Sequence, residues 1–69
     1  MKLSARNVFK GRVTEVTHGA VNSEVVLELA GGVRVVSILT RQSAEVLDLV
    51  AGSDAHAVIK ATNVMVAVD

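Results

Sequence analysis

Three short stretches of this chain set hydroxyls and cations side by side: Ser4-Ala5-Arg6-Asn7, Thr40-Arg41-Gln42-Ser43 and Lys60-Ala61-Thr62. A guanidinium is a planar fork of N–H donors, an ammonium is a point charge, and each hydroxyl adds one donor more. Donors without competing acceptors suit a small oxyanion, and they suit a carboxylate side chain equally well. Thr40 to Ser43 lies where a helix should begin, so unpaired backbone N–H groups point outward there too. Lys60 closes an apolar run and needs a counter-charge if it is enclosed. The plainer account has Thr40 capping the helix, Ser43 in its first turn, and Lys60 snorkelling to water. On spacing alone the two accounts stand even.

Other chemistries are poorly supplied. His18 and His56 lie 38 residues apart, which is no metal-ligand spacing, and cysteine is absent; this excludes disulfides and argues against structural zinc. Glu24 and Glu28 are outward strand positions, explained by solvent rather than by acid–base work. Gly31-Gly32 lacks the Lys and Ser/Thr of a phosphate loop and reads as a hairpin. No nucleophile sits on a strained elbow, so no catalysis is expected. Single-strand nucleic-acid binding needs aromatic platforms and a basic groove. Here Phe9 is the one aromatic residue, expected in the core, and seven basic and seven acidic residues cancel to zero. Neither a nucleic acid nor an anionic membrane is an expected partner.

The elements that must hold these stretches are short strands. From Phe9 to Val16, Phe9, Gly11 and Val13 face one way and Lys10, Arg12 and Thr14 the other, with Gly11 marking a bulge or bend. His18 to Asn22 is the first connection. Ser23 to Leu29 alternates, with Val25, Leu27 and Leu29 inward, and Ala30-Gly31-Gly32 turns into a strand over Val33 to Leu39. Ala44 to Leu49 favours a short helix with Thr40 as N-cap and Gly52 beyond its end. Ala55 to Ile59 and Val64 to Val68 are the last strands, joined by Lys60 to Asn63. The result is an all-β chain with one short helix, a small five-stranded OB-like barrel, with an SH3-like barrel as competitor.

A chain of 69 residues is one domain, residues 1–69, in the range where a lone core is marginal. Its apolar fraction is 51%, more than so small a core hides, and surplus apolar surface usually marks an interface. A homo-oligomer is expected. No apolar run approaches the ~20 residues of a membrane span and no h-region opens the chain, so a soluble cytoplasmic protein is expected.

Several of these stretches resemble one family. Ser4-Ala5-Arg6-Asn7 followed by Phe9-Lys10-Gly11 is similar to the opening of the molbindins, small molybdate-binding proteins built from a single Mop domain and related to TOBE domains. So are Glu24 to Gly32, Ser37-Ile38-Leu39-Thr40 with Ser43, and the ending Val58-Ile59-Lys60-Ala61-Thr62-Asn63-Val64-Met65. The resemblance runs end to end. It implies an OB-like fold and a cytoplasmic hexamer arranged as a trimer of dimers. It also implies molybdate or tungstate held between subunits, with no organic cofactor and no turnover. Storage or buffering of the anion is the implied role. By the same resemblance Ser4, Ala5, Arg6, Thr40, Ser43, Lys60, Ala61 and Thr62 form the interface site. Lys60 would supply charge, the hydroxyls would donate, and backbone N–H groups near Ala5 and Arg6 would complete the cage. A second site near a threefold axis would use Gly19, Ala20, Val21 and Asn22. The rival from another class is a structural or interaction oligomer whose donor clusters serve only as caps and salt bridges.

Overall fold

Alternation carries the first strand further than its apolar pattern suggests. In the computed structural model, which describes residues 1–69, β1 runs Asn7–His18. It is followed by β2 (Asn22–Leu29), β3 (Arg34–Thr40), a helix α1 (Arg41–Val46) and β4 (Asp54–Ile59). All neighbouring strands are antiparallel, in the order β3-β2-β1-β4. The inner face is built by register: Val13 opposes Leu27, Leu27 opposes Val35, and Gly11 lies between Leu29 and Ala55. Val13, Val25 and Leu27 form the buried centre, with Val16, Leu39, Leu49 and Ala55 packed around them.

The bulge expected at Gly11 stands at Thr14. Val13 opposes Leu27 and Glu15 opposes Val26, so Thr14 is the extra residue, and its Oγ1 donates to the Val26 carbonyl at 3.3 Å. An extra residue shifts the two-residue side-chain period by one, which brings both Val13 and Val16 inward. Gly11 has a different task, because β1 and β2 approach closely there. A Cβ at Gly11 would stand 2.8 Å from the Glu28 carbonyl oxygen and 2.8 Å from Leu29 Cδ2. Gly11→Ala is therefore expected to destabilise the fold by about 1–3 kcal/mol through overpacking, measured by thermal melting.

The glycine-pair turn forms as expected, with Gly31 and Gly32 both at φ 81 and Leu29 N–H donating to Val33 O at 2.7 Å. Thr40 caps α1 as expected, but the helix starts at Arg41 rather than Ala44 and stops earlier. Its end is set by Asp48, at φ 57, not by Gly52. Leu49 N–H reaches Ala44 O and Asp48 N–H reaches Glu45 O, each at 3.0 Å, the paired bonds of a Schellman ending. Asp tolerates the left-handed region better than most side chains. Gly52, at φ 95, serves the return into β4, and its N–H donates to Val13 O at 2.7 Å.

Two expectations of the core and sheet are corrected. The sheet has four strands, not five; Ala61–Asn63 form a single helical turn and the chain beyond it pairs with nothing. A strand exists only against a partner edge, and Val64 to Val68 has none within its own chain. Its side chains stand in the open, Met65 at 94% and Val66 at 88% exposure. The curled sheet is thus a half-barrel, with a cavity of about 320 Å³ lined by Val35, Val36, Ala57, Val58 and Ile59 between its β3 and β4 edges. Phe9, expected in the core, lies on the inward-facing row opposite Ala57 yet is exposed at this open end.

Candidate functional site

The strand pairing sorts the donor residues into two groups. Asn7, the first residue of β1, opposes Ile59, the last of β4, and its Nδ2 donates to the Ile59 carbonyl at 3.1 Å. Ser4-Ala5-Arg6 and Lys60-Ala61-Thr62 therefore leave the sheet from one end. The N–H groups of Ala5 and Arg6 find no backbone acceptor, and neither Arg6 nor Lys60 makes an ion pair. Lys60 enters the helical turn at Ala61–Asn63, closed by Asn63 N–H on Lys60 O at 2.8 Å. The first group is two cations, two hydroxyls and free amides with no carboxylate among them.

The second group gathers at the far end of β1. Gly19 N–H donates to Asn22 O at 2.7 Å and closes the β1–β2 turn, which leaves the N–H groups of Ala20 and Val21 without backbone acceptors. Asn22 opposes Thr40, and Arg41 N–H donates to Val21 O at 2.8 Å, so the turn and the entry of α1 form one unit. Thr40 Oγ1 accepts from Ser43 N–H at 3.1 Å and donates to Ser43 Oγ at 2.7 Å. One hydroxyl hydrogen, that of Ser43, is left over. A cleft of about 550 Å³ lies here, lined by Ala20, Val21, Thr40, Arg41, Gln42 and Glu45. Beside the turn, His18 Nδ1 and the buried Ser23 hydroxyl share a 2.6 Å hydrogen bond.

Distance separates the groups decisively. β1 has 12 residues, about 35–40 Å at the ~3.3 Å rise of an extended strand before curl shortens it. Ser4, Ala5, Arg6, Lys60, Ala61 and Thr62 come together within one chain. Thr40 and Ser43 do not join them; they lie with Gly19 to Asn22. Of the residues lining this cleft, Arg41 and Gln42 belong to the Thr40–Ser43 donor stretch but fall outside the site that the family resemblance implies, as does Glu45. The signal for Arg41 and Glu45 is their four-residue spacing, which makes an Arg41 Nε–Glu45 Oε1 ion pair of 3.0 Å.

Comparison with known proteins agrees with this architecture. The TOBE domain profile matches residues 3–66. Molybdenum-pterin-binding protein 3 of Clostridium pasteurianum is 50% identical over 66 residues, covering 96% of this chain and 97% of that protein. Among solved structures, MopII from Clostridium pasteurianum superposes with a TM-score of 0.92 at 43% identity, over 97% of this chain and 100% of its own. The cytoplasmic molybdate-binding protein ModG, with molybdate bound, superposes with a TM-score of 0.91 at 46% identity. That match covers 94% of this chain and 46% of ModG. By sequence and by fold together, the chain belongs to the TOBE domain family, among the molybdenum-pterin-binding proteins.

Proposed function

We propose that this protein binds molybdate, or the near-isosteric tungstate, at sites shared between the subunits of a homo-oligomer, as an intracellular store of the anion without turnover. One observation carries the reading. The donor groups stand ready at two opposite ends of the sheet, and each end alone is an open half of a cage. A tetrahedral dianion needs donors converging from several sides, and copies of the chain supply the missing sides. Ser4, Ala5, Arg6, Lys60, Ala61 and Thr62 make one half-site. Thr40 and Ser43, with the turn Gly19, Ala20, Val21 and Asn22, make the other. The exposed apolar residues Val36, Ile38, Val64, Met65, Val66 and Val68 support the assembly, read as a hexamer built as a trimer of dimers. Cytoplasmic residence belongs to the same reading, supported by the cytoplasmic relative ModG.

The rival is a structural oligomer without an anion, and the mutual bonding of Thr40 and Ser43 favours it. Ser43→Ala separates the two. The variant keeps the Ser43 backbone N–H on Thr40 Oγ1, so the helix cap survives and stability should hold. It removes the leftover hydroxyl donor, and molybdate affinity is expected to fall by roughly 1–3 kcal/mol, the cost of leaving an enclosed charged acceptor short of a partner. Calorimetric titration with molybdate reads the difference. Unchanged affinity assigns Ser43 to capping alone.

A further inference from the structure

The two half-sites are unequal in charge. Arg6 and Lys60 serve the first, while the donors left to the second, the Ser43 hydroxyl and the amides of Ala20 and Val21, are all neutral. We infer that Arg41 is the counter-charge of an oxyanion held in the turn-side cleft, and that Glu45 competes with the anion for it. This rests on the oxyanion reading above.

The geometry is specific. Arg41 lines the cleft with Ala20, Val21 and Thr40. Its backbone N–H holds Val21 O at 2.8 Å and its Nη1 lies 3.5 Å from Gly19 O, so the side chain spans the turn whose Ala20 and Val21 N–H groups are free. Nε is committed to Glu45 Oε1 at 3.0 Å. A guanidinium carries five N–H donors, and the remaining ones have no protein acceptor. The side chain is 49% exposed and that of Glu45 59%, so their ion pair is a weak, solvent-screened one. A dianion offers Arg41 a stronger partner, and the Glu45 carboxylate beside it repels that dianion. Glu45 is thus set against the anion from the same cleft, and the cleft's affinity is the balance of the two side chains.

Substitutions should therefore move affinity in opposite directions. Sodium molybdate is titrated calorimetrically into the assembled parental protein, Arg41→Gln and Glu45→Gln, with native mass checked for each. Arg41→Gln should bind roughly ten-fold or more weakly at the affected sites, the usual effect of deleting a charge-assisted hydrogen bond. Glu45→Gln, which breaks the same ion pair, should bind about two- to five-fold more tightly, in proportion to the small worth of an exposed pair. Arg41→Lys keeps the charge and should recover most of the loss. Unchanged affinity in Arg41→Gln overturns the inference, as does weaker binding in Glu45→Gln, which would make the pair a brace for the turn. Should Arg41→Gln dissociate, the sign of the Glu45→Gln effect decides. A parental protein that takes up no molybdate overturns the oxyanion reading itself, whereas parental binding with an indifferent Arg41 overturns this inference alone.

Discussion

Lys60→Ala is expected to lose two decades or more of molybdate affinity while the anion-free protein melts no lower than the parent. Lys60 is the one basic residue of the last third of the chain apart from His56. It leaves β4 at the sheet end where Ser4-Ala5-Arg6 arrives, and it makes no ion pair. Without an anion it shares that end of the sheet with Arg6 and has no paired carboxylate, so its removal breaks no ion pair. With a dianion enclosed between subunits it becomes half of a desolvated charge pair. Deleting one member of such a pair typically costs about 3–5 kcal/mol, which corresponds to two to three and a half decades in dissociation constant. Thermal melting with and without molybdate measures both halves of the expectation, because a ligand bound only by the native state raises the melting point. A variant that keeps the full molybdate-dependent shift removes Lys60 from the site. A variant that collapses without ligand makes the lysine structural.

The second large effect concerns assembly. Met65→Asp combined with Val66→Asp should convert a discrete oligomer into smaller species at micromolar concentration and reduce molybdate affinity more than ten-fold. These side chains are 94% and 88% exposed in the single chain and belong to a segment that pairs with nothing. Covering apolar surface releases about 25 cal/mol per Å², so two carboxylates in a covered position oppose both burial and desolvation. Loss of binding follows because each chain presents only half-sites. Analytical ultracentrifugation beside calorimetry tests it. An undiminished oligomer shows that the segment lies outside the interface, and undiminished binding by dissociated chains contradicts shared sites.

Much of this structure was legible in the sequence, and what was not has definite causes. Strand alternation, the Gly31-Gly32 hairpin and the Thr40 cap are local: each is decided by residues within a few positions. The Thr14 bulge was not legible, because the apolar pattern around it reads through Gly11, a residue whose absence of side chain signals either a bend or a close approach. Only the register distinguishes them. Asp48 ending the helix was hidden by the more obvious Gly52. Val64 to Val68 has the composition of a strand, but pairing is not a property of composition, and within one chain no edge receives it.

The site was legible in its residue types and not in its grouping. The stretches around Ser4, Thr40 and Lys60 read alike, as hydroxyls beside cations. Nothing local reveals that β1 holds Ser4 and Lys60 at one end and Thr40 at the other. Pairing of Asn7 with Ile59 and of Asn22 with Thr40 makes that division, and both are contacts between residues distant in sequence. The same long-range pairing brings Arg41 over the Gly19–Asn22 turn, which sequence spacing gave no reason to expect.

Native mass spectrometry after incubation with molybdate and exhaustive dialysis bears most directly on shared anion sites. The expected spectrum is one hexameric species whose mass exceeds six chains by whole molybdate units, with molybdenum found by elemental analysis of the same sample. A folded single chain, or a hexamer free of molybdenum and tungsten after that exposure, would contradict the account.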